Sequence, residues 1–369
     1  MIMNIAWLTV RKWDDFCSTT TDALAHGLIE RGHLLTVFNG DASEHHASKP
    51  WSHISLEQSS FPGRSGASLA RSAVLWFQEN PEESYDAIVV DWPLAPRTAG
   101  FLEKQGHRLV LMDRSPPADV SLLGKLQWRV WKKAWGLVKK GVIDQGTVVS
   151  DAHRTFVHNR RTIDYGLIHV IPAGVHLAQF SSQNKRYDGT LKMVYHGRLD
   201  KHRGVLALPM LARKLLNHGV KVDLTLVGEG DAYEVLKEIS TSESSITVSP
   251  SMAREEISAL LEVQHIGLLP MPDTPVWSLA SPLKRSEYLA SGLLVYGTDH
   301  AGHQLEQTST DWFQLASMEN FHNQALNWFN GMDENKLRIG SKAARLYAEA
   351  HCSWEKSVDR FERVLYNGE

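Results

Sequence analysis

Short apolar runs alternate with amphipathic stretches along nearly the whole chain, and most runs close on a polar or glycine-bearing turn. Residues 5–10 read as a buried strand, 20–31 as an amphipathic helix stopped by Gly32, and 34–38 as a second strand. Strand, helix and strand at this spacing make a βαβ unit, which implies a parallel sheet with helices on both faces. Further strands are predicted at 87–90, 108–112 and 146–150. They end in Asp91-Trp92, Asp113-Arg114-Ser115 and Ser150-Asp151. In open α/β sheets the carboxyl ends of strands face the ligand crevice, so these ends are the places to look for chemistry.

The alternation restarts after an interruption. Residues 169–180 (HVIPAGVHLAQF) read as a strand and a Pro-Ala-Gly turn, and the polar stretch 181–190 (SSQNKRYDGT) reads as an interdomain linker. Strands follow at 193–195, 223–227, 246–248, 266–269 and 293–296, with a helix at 205–217. This is a second doubly wound domain. At 369 residues the chain is also longer than one core usually serves. Domains are expected at 1–180 and 181–350, with a C-terminal segment 351–369.

One stretch of the second half concentrates the chemistry: SPLKRSEYLASGLLVYGTDHAG, residues 281–302. Ser281 suits a helix N-cap, Pro282 the first helical position, and Gly292 the left-handed stop. A helix start leaves unpaired N–H groups and a partial positive charge, which together attract an anion. Lys284 adds a full charge, and Glu287 follows on the same face roughly 5 Å along the axis. That offset suits phosphates beside a vicinal diol, as in a nucleoside diphosphate, because a carboxylate accepts two hydroxyl hydrogens. The plain alternative is an ordinary capped αβ unit in which Lys284 and Glu287 pair across a turn. Two other strand ends add to the first reading. Gly197, Arg198, Arg203 and Gly204 follow residue 195, where guanidinium forks would match phosphate oxygens. Gly228 and Gly230 flank Glu229 and would admit a flat nucleobase close to the backbone.

Composition narrows the partners. Net charge of −3 gives no global pull toward nucleic acid or membrane. Cys17 and Cys352 fit no disulfide or metal spacing, so a reducing, cytoplasmic location is expected and no metal site is predicted. No run of 18 apolar residues occurs, and the chain opens on a strand-like NIAWLTV with no signal-peptide pattern. The turn after the first strand, RKWDDFCSTTT, lacks the glycine fingerprint of a dinucleotide site, so no nicotinamide or flavin is expected there. Asp14, Asp15 and Ser18 to Thr21 line that crevice instead, as hydroxyl-binding groups or as a plain capping run. Asp113 beside Arg114 would contact sugar hydroxyls, or simply cap its loop. Segment 124–140 (GKLQWRVWKKAWGLVKK) carries six basic and no acidic residues, with Trp128, Trp131 and Trp135 at helical spacing. Two readings stay open for it: peripheral contact with the inner membrane face, or a helix that packs its tryptophans on its own sheet.

The motifs VYHGRLDKHRG, LTLVGEGD, VIPAGVHLAQF, SPLKRSEYLASGLLVYGTDHAG and CSWEKSVDRFERVLY appear in the order in which the retaining glycosyltransferases of family 4 carry theirs. The chain resembles that family over most of its second half and in its two-domain plan. The resemblance implies the GT-B fold, two Rossmann-like doubly wound domains facing across a cleft, with a last helix crossing back to the first domain. It implies transfer of a sugar from a nucleotide-diphosphate-sugar donor to an acceptor hydroxyl, a glycan or lipid-linked acceptor, with retention and without a metal. It assigns Ser281, Leu283, Lys284 and Glu287 to the donor and Arg198 and Arg203 to the diphosphate and catalysis, while the strand-end reading adds Gly197, Gly228 and Gly230 to the donor set and Asp113 to the catalytic set. The chain also departs from the family. Leu279 stands where the first glutamate of a pair normally contacts the donor sugar, Ala173 and His176 replace an asparagine and an aspartate, and a glycine pair near the first strand is missing. A catalytically silent nucleotide-sugar-binding protein and another GT-B enzyme, such as a nucleotide-sugar epimerase, are the alternatives.

Overall fold

The computed structural model describes residues 2–13, 18–61, 64–117, 122–183, 185–306 and 308–366. Asp14, Asp15 and Cys17 lie outside them. Strands β1 (Asn4–Leu8), β2 (Leu34–Asn39), β3 (Ser52–Ser55), β4 (Ala87–Asp91), β5 (Leu109–Met112), β6 (Gln145–Val148) and β7 (Ile168–Val170) form one parallel sheet, ordered β3-β2-β1-β4-β5-β6-β7. Helices α1 (Thr19–Glu30), α2 (Ser65–Glu79), α3 (Ala95–Lys104), α4 (Leu122–Lys139) and α5 (Asp151–Arg161) occupy the crossovers. Covered on both faces, β4 and β5 are buried at every position, which is why they read as unbroken apolar runs. The chain winds outward from β1 to β3, then returns to β4 and winds the other way, so the carboxyl ends of β1 and β4 form a topological switch point.

The second sheet is built alike. It contains β8 (Leu191–His196), β9 (Val222–Val227), β10 (Ile246–Ser249), β11 (Ile266–Leu269), β12 (Leu294–Thr298) and β13 (Phe313–Ala316), ordered β10-β9-β8-β11-β12-β13 and parallel throughout. Its helices are α6 (Ala207–Asn217), α7 (Tyr233–Ser242), α8 (Arg254–Glu262), the single turn α9 (Pro275–Ser278), α10 (Leu283–Ala290), α11 (Phe321–Phe329) and α12 (Glu334–His351). The last helix, α13 (Trp354–Tyr366), returns to the first sheet, where Arg31 pairs with Glu362 at 2.6 Å.

Two compact units result: Met1–Pro172 with Trp354–Glu369, and Ala173–Ser353. The division therefore falls about eight residues before the predicted linker, and the reason is local. Phe180 is buried in the second core, Val175 N–H donates to Cys352 O at 2.8 Å, and Arg345 Nη1 donates to Phe180 O at 2.7 Å. The stretch after the Pro-Ala-Gly turn is thus already part of the second unit.

Thr20 and Thr21 are buried in the first turn of α1, so they do not line an open crevice. On α4, Trp131 and Trp135 are fully buried and Trp128 is half-buried, while Lys125, Arg129, Lys132, Lys133, Lys139 and Lys140 are exposed. The tryptophans pack against their own core. Among the described residues no helix is long and apolar enough to cross a membrane.

Candidate functional site

The second unit assembles its charged residues at the carboxyl end of β8. The loops that leave β8 and β9 are zipped together: Gly197 N–H donates to Val227 O (2.9 Å), Leu199 N–H to Glu229 O (2.8 Å) and Ala232 N–H to Leu199 O (2.9 Å). Glycine is needed for this approach. A Cβ on Gly228, whose φ is +144°, would stand 1.8 Å from Gly197 O, and one on Gly230 would stand 2.4 Å from the Leu199 carbonyl. Gly204 is held similarly against Pro270 O, 2.3 Å from where its Cβ would be. These glycines are thus required by loop-to-loop packing at the strand end.

Helix α10 points its first turn at the same place. It starts at Leu283, with Pro282 as the N-cap residue and no side chain capping its N–H groups. Ser281, expected as the cap, instead accepts the N–H of Ala173 on its hydroxyl at 3.2 Å. The helix start thus keeps its unpaired donors and partial positive charge. Lys284 Nζ lies 3.1 Å from where a Gly197 Cβ would sit and 3.9 Å from the centre of the Tyr195 ring. That nitrogen is shielded from water and has no hydrogen-bond partner. Burial first, and the Arg203 charge second, pull its pKa down to about 7, against the attraction of Glu287.

Glu287 follows one turn later, its Oε2 3.3 Å from His196 Nε2. Burial raises the Glu287 pKa, opposed by the charges of Arg254 and Lys284. Burial, helped by Lys284, brings His196 down to about 3, so its imidazole is neutral. Arg203 places its guanidinium 4.5 Å from the centre of the Trp277 ring, on which His202 also stacks, and its Nε is 3.4 Å from Asp200 Oδ2. Arg198 is different. Its side chain is 44% exposed and forks onto Asp200, with Nη2 3.0 Å from Oδ1.

The structure thus gathers Gly197, Gly228, Arg203, Leu283, Lys284 and Glu287 at one strand end, with Gly230 just behind and Arg198 turned outward onto a carboxylate. Sequence reading missed Tyr195, His196, Asp200 and Trp277. Asp200 had a legible signal, a carboxylate two residues after one arginine and three before the other.

Asp113 does not fit its expected role. It is fully buried in the first unit, and its Oδ2 accepts Trp131 Nε1–H at 2.6 Å and Trp135 Nε1–H at 2.8 Å, with His153 Nε2 at 3.4 Å. Such a carboxylate braces α4 against β5 and has no surface to offer a sugar. A 430 Å³ hollow in the second unit, lined by Lys185, His265 and Gly292, lies at the opposite, amino end of β11 and β12. Lys185 Nζ is occupied there by the carbonyls of Leu261, Glu262 and Gln264. Among the described residues no group of three or more His, Cys, Asp or Glu side chains is gathered as a metal ion would need.

No model of a known protein family matches the chain, and no curated protein matches it in sequence. Solved structures do match in shape. A glycosyltransferase from Rickettsia africae ESF-5 superimposes with a TM-score of 0.75 at 14% identity, over 100% of this chain and 98% of that one. HepE of Anabaena in complex with UDP gives 0.70 at 16%, over 99% and 100%. WaaG, a glycosyltransferase involved in lipopolysaccharide biosynthesis, gives 0.69 at 13%, over 98% and 99%. The chain has the GT-B fold, with two Rossmann-like units of seven and six parallel strands.

Proposed function

We propose that this chain is a glycosyltransferase that takes a nucleotide-diphosphate sugar as donor. The sugar passes, with retention at the anomeric carbon, to a hydroxyl of a glycan or lipid-linked acceptor. One observation carries the reading: a shielded ammonium without a hydrogen-bond partner, on Lys284 in the first turn of an uncapped helix, lies beside Gly197 and within the field of Arg203. A buried cation without a hydrogen-bond partner is costly unless an anion completes it. A diphosphate does so, and Glu287, one turn along, accepts the hydroxyls of its ribose. HepE, alike in fold, has been seen in complex with UDP and with UDP-glucose, so uridine nucleotides are the first donors to try.

In this reading the barrier is departure of the diphosphate. Lys284, Arg203 and the N–H groups of Leu283 and Lys284 stabilise the charge that grows as the bond from the anomeric carbon to the β-phosphate oxygen breaks. The acceptor oxygen forms the new bond on the same face, and its proton passes to the departing phosphate, so no enzyme nucleophile is needed. Asp113 takes no part.

A second reading, donor binding without turnover, draws on Leu279. It is an apolar, nearly buried residue where the resemblance expects a carboxylate on the donor sugar. Thermal shift against UDP-, GDP- and ADP-sugars, followed by release of nucleoside diphosphate, separates the two. Ligand at 100 times its dissociation constant adds about 2.7 kcal/mol of apparent stability. Stabilisation with slow nucleotide release supports the transferase, stabilisation without release supports the silent protein, and no stabilisation by any of the three removes both.

The two arginines give a graded test. Arg203→Ala is expected to lower turnover about 100-fold, as for loss of one charge-stabilising donor. Arg198→Ala, an exposed group already held by Asp200, is expected to cost under about tenfold. The reverse order would show that Arg198 swings from Asp200 onto the diphosphate.

A further inference from the structure

The first unit holds a cavity of about 770 Å³ that the donor reading does not use. It opens at the carboxyl ends of β1, β4 and β5, where the winding of the sheet reverses, the usual place for a ligand in a doubly wound sheet. Its volume suits a small glycan. Four arginines from four separate parts of the chain line it: Arg11 after β1, Arg97 on α3, Arg114 after β5 and Arg129 on α4. Asp91 is the one carboxylate among the described residues that line it, and it is already engaged. Its Oδ2 accepts Thr9 Oγ1–H at 2.6 Å and Val10 N–H at 3.2 Å, tying β4 to the end of β1. Trp92 adds an aromatic face, steadied by donation of its Nε1–H to Ser115 O at 3.1 Å.

We propose that this cavity binds the acceptor, and that the acceptor is an anionic glycan whose phosphate or carboxylate is gripped by Arg11, Arg97, Arg114 and Arg129 while a sugar ring rests on Trp92. The proposal rests on the transferase reading for the word acceptor, but the anion site stands on its own geometry. Among the described residues that line the cavity, four arginines stand against one carboxylate, so the lining is net positive. Arg114 is held in place by donation of its Nη1–H to Ile171 O at 3.0 Å. Burial first, and the neighbouring Arg11 charge second, lower its pKa to about 10, against the attraction of Asp91 and Asp113. Guanidinium forks match both phosphate and carboxylate oxygens, and a neutral sugar would leave that charge unmet.

The test is direct binding to the full chain at low salt, with no transfer required. The probes are methyl glucoside, glucose 6-phosphate and glucuronate, each titrated calorimetrically to millimolar concentration. Three proteins are compared: wild type, the double variant Arg97→Gln/Arg129→Gln, and Lys284→Met, which removes the anion-binding ammonium of the second unit. Both altered arginines are surface side chains, so the fold should tolerate the change. Wild type and Lys284→Met should bind an anionic sugar alike, and the double variant should bind it roughly tenfold more weakly for each guanidinium removed. Preference for glucose 6-phosphate marks a phosphorylated acceptor, and preference for glucuronate an acidic-sugar acceptor. The proposal is overturned if neither anionic sugar binds, if methyl glucoside binds as well as they do, if the double variant binds unchanged, or if only Lys284→Met loses binding. None of these outcomes depends on donor turnover, so failure of the transferase reading leaves them separately readable.

Discussion

Lys284→Met is expected to raise the stability of the free protein and to abolish most of its affinity for a nucleoside diphosphate. The two effects share one cause. The ammonium is shielded, lacks a hydrogen-bond partner and is held at a pKa of about 7 by burial and by Arg203. Its removal should therefore add about 1–3 kcal/mol, the usual cost of a buried unsatisfied polar group. The pH dependence has a definite sign. In the unfolded chain this lysine titrates near its ordinary value of about 10.4, so between pH 7 and 10 the unfolded state binds the proton and the native state does not. Wild-type stability should gain from this group as pH rises through that window, and the Met variant should lack that gain.

With a diphosphate bound, the anion restores the charged form and lifts the lysine pKa. Binding near pH 8 should then take up a proton, and affinity should weaken as pH climbs above 7. Thermal unfolding of both proteins across that range, with calorimetry of nucleoside diphosphate in two buffers of different ionisation enthalpy, measures all of this. A variant that is less stable than wild type, yet binds the nucleotide unchanged, would make Lys284 a structural cation and remove the donor site from α10.

The βαβ alternation was legible because parallel strands covered on both faces must be apolar at nearly every position, as in β4 and β5. β3 and β13 were not, since SHIS and FQLA carry too little apolar signal in four residues. At the site, the three-residue spacing of Lys284 and Glu287 was enough to place both on one face of a helix. The start of that helix was misplaced by one residue, because Ser281 Oγ is taken by the N–H of Ala173, a partner 108 positions away that no local pattern reports. Gly228 and Gly230 are also required by a contact the sequence does not show. Periodicity shows that a backbone is crowded, not that the crowding comes from the neighbouring loop at Gly197 and Leu199. The tryptophans of α4 left two readings open: helical spacing puts three indoles on one face and is silent on which way that face looks. What decides it is Asp113, on another element, taking two of the indole N–H groups.

That last contact predicts the second large effect. Asp113→Ala should destabilise the first unit by about 3 kcal/mol or more, because it strands two buried indole donors at once and opens space in a packed core. Asp113→Asn should cost less, since its amide oxygen still accepts one indole N–H or shares itself between two. Urea unfolding followed by tryptophan fluorescence measures the loss, which should appear as a lower midpoint with an unchanged slope. The decisive comparison is with chemistry. Below the unfolding transition, the folded fraction of Asp113→Asn should release nucleoside diphosphate at the wild-type rate, because a carboxylate sealed behind Trp131 and Trp135 meets no substrate. A variant with wild-type stability and a turnover reduced 100-fold would reverse the assignment, since only a group that reaches the reacting sugar leaves folding untouched while slowing the reaction that far.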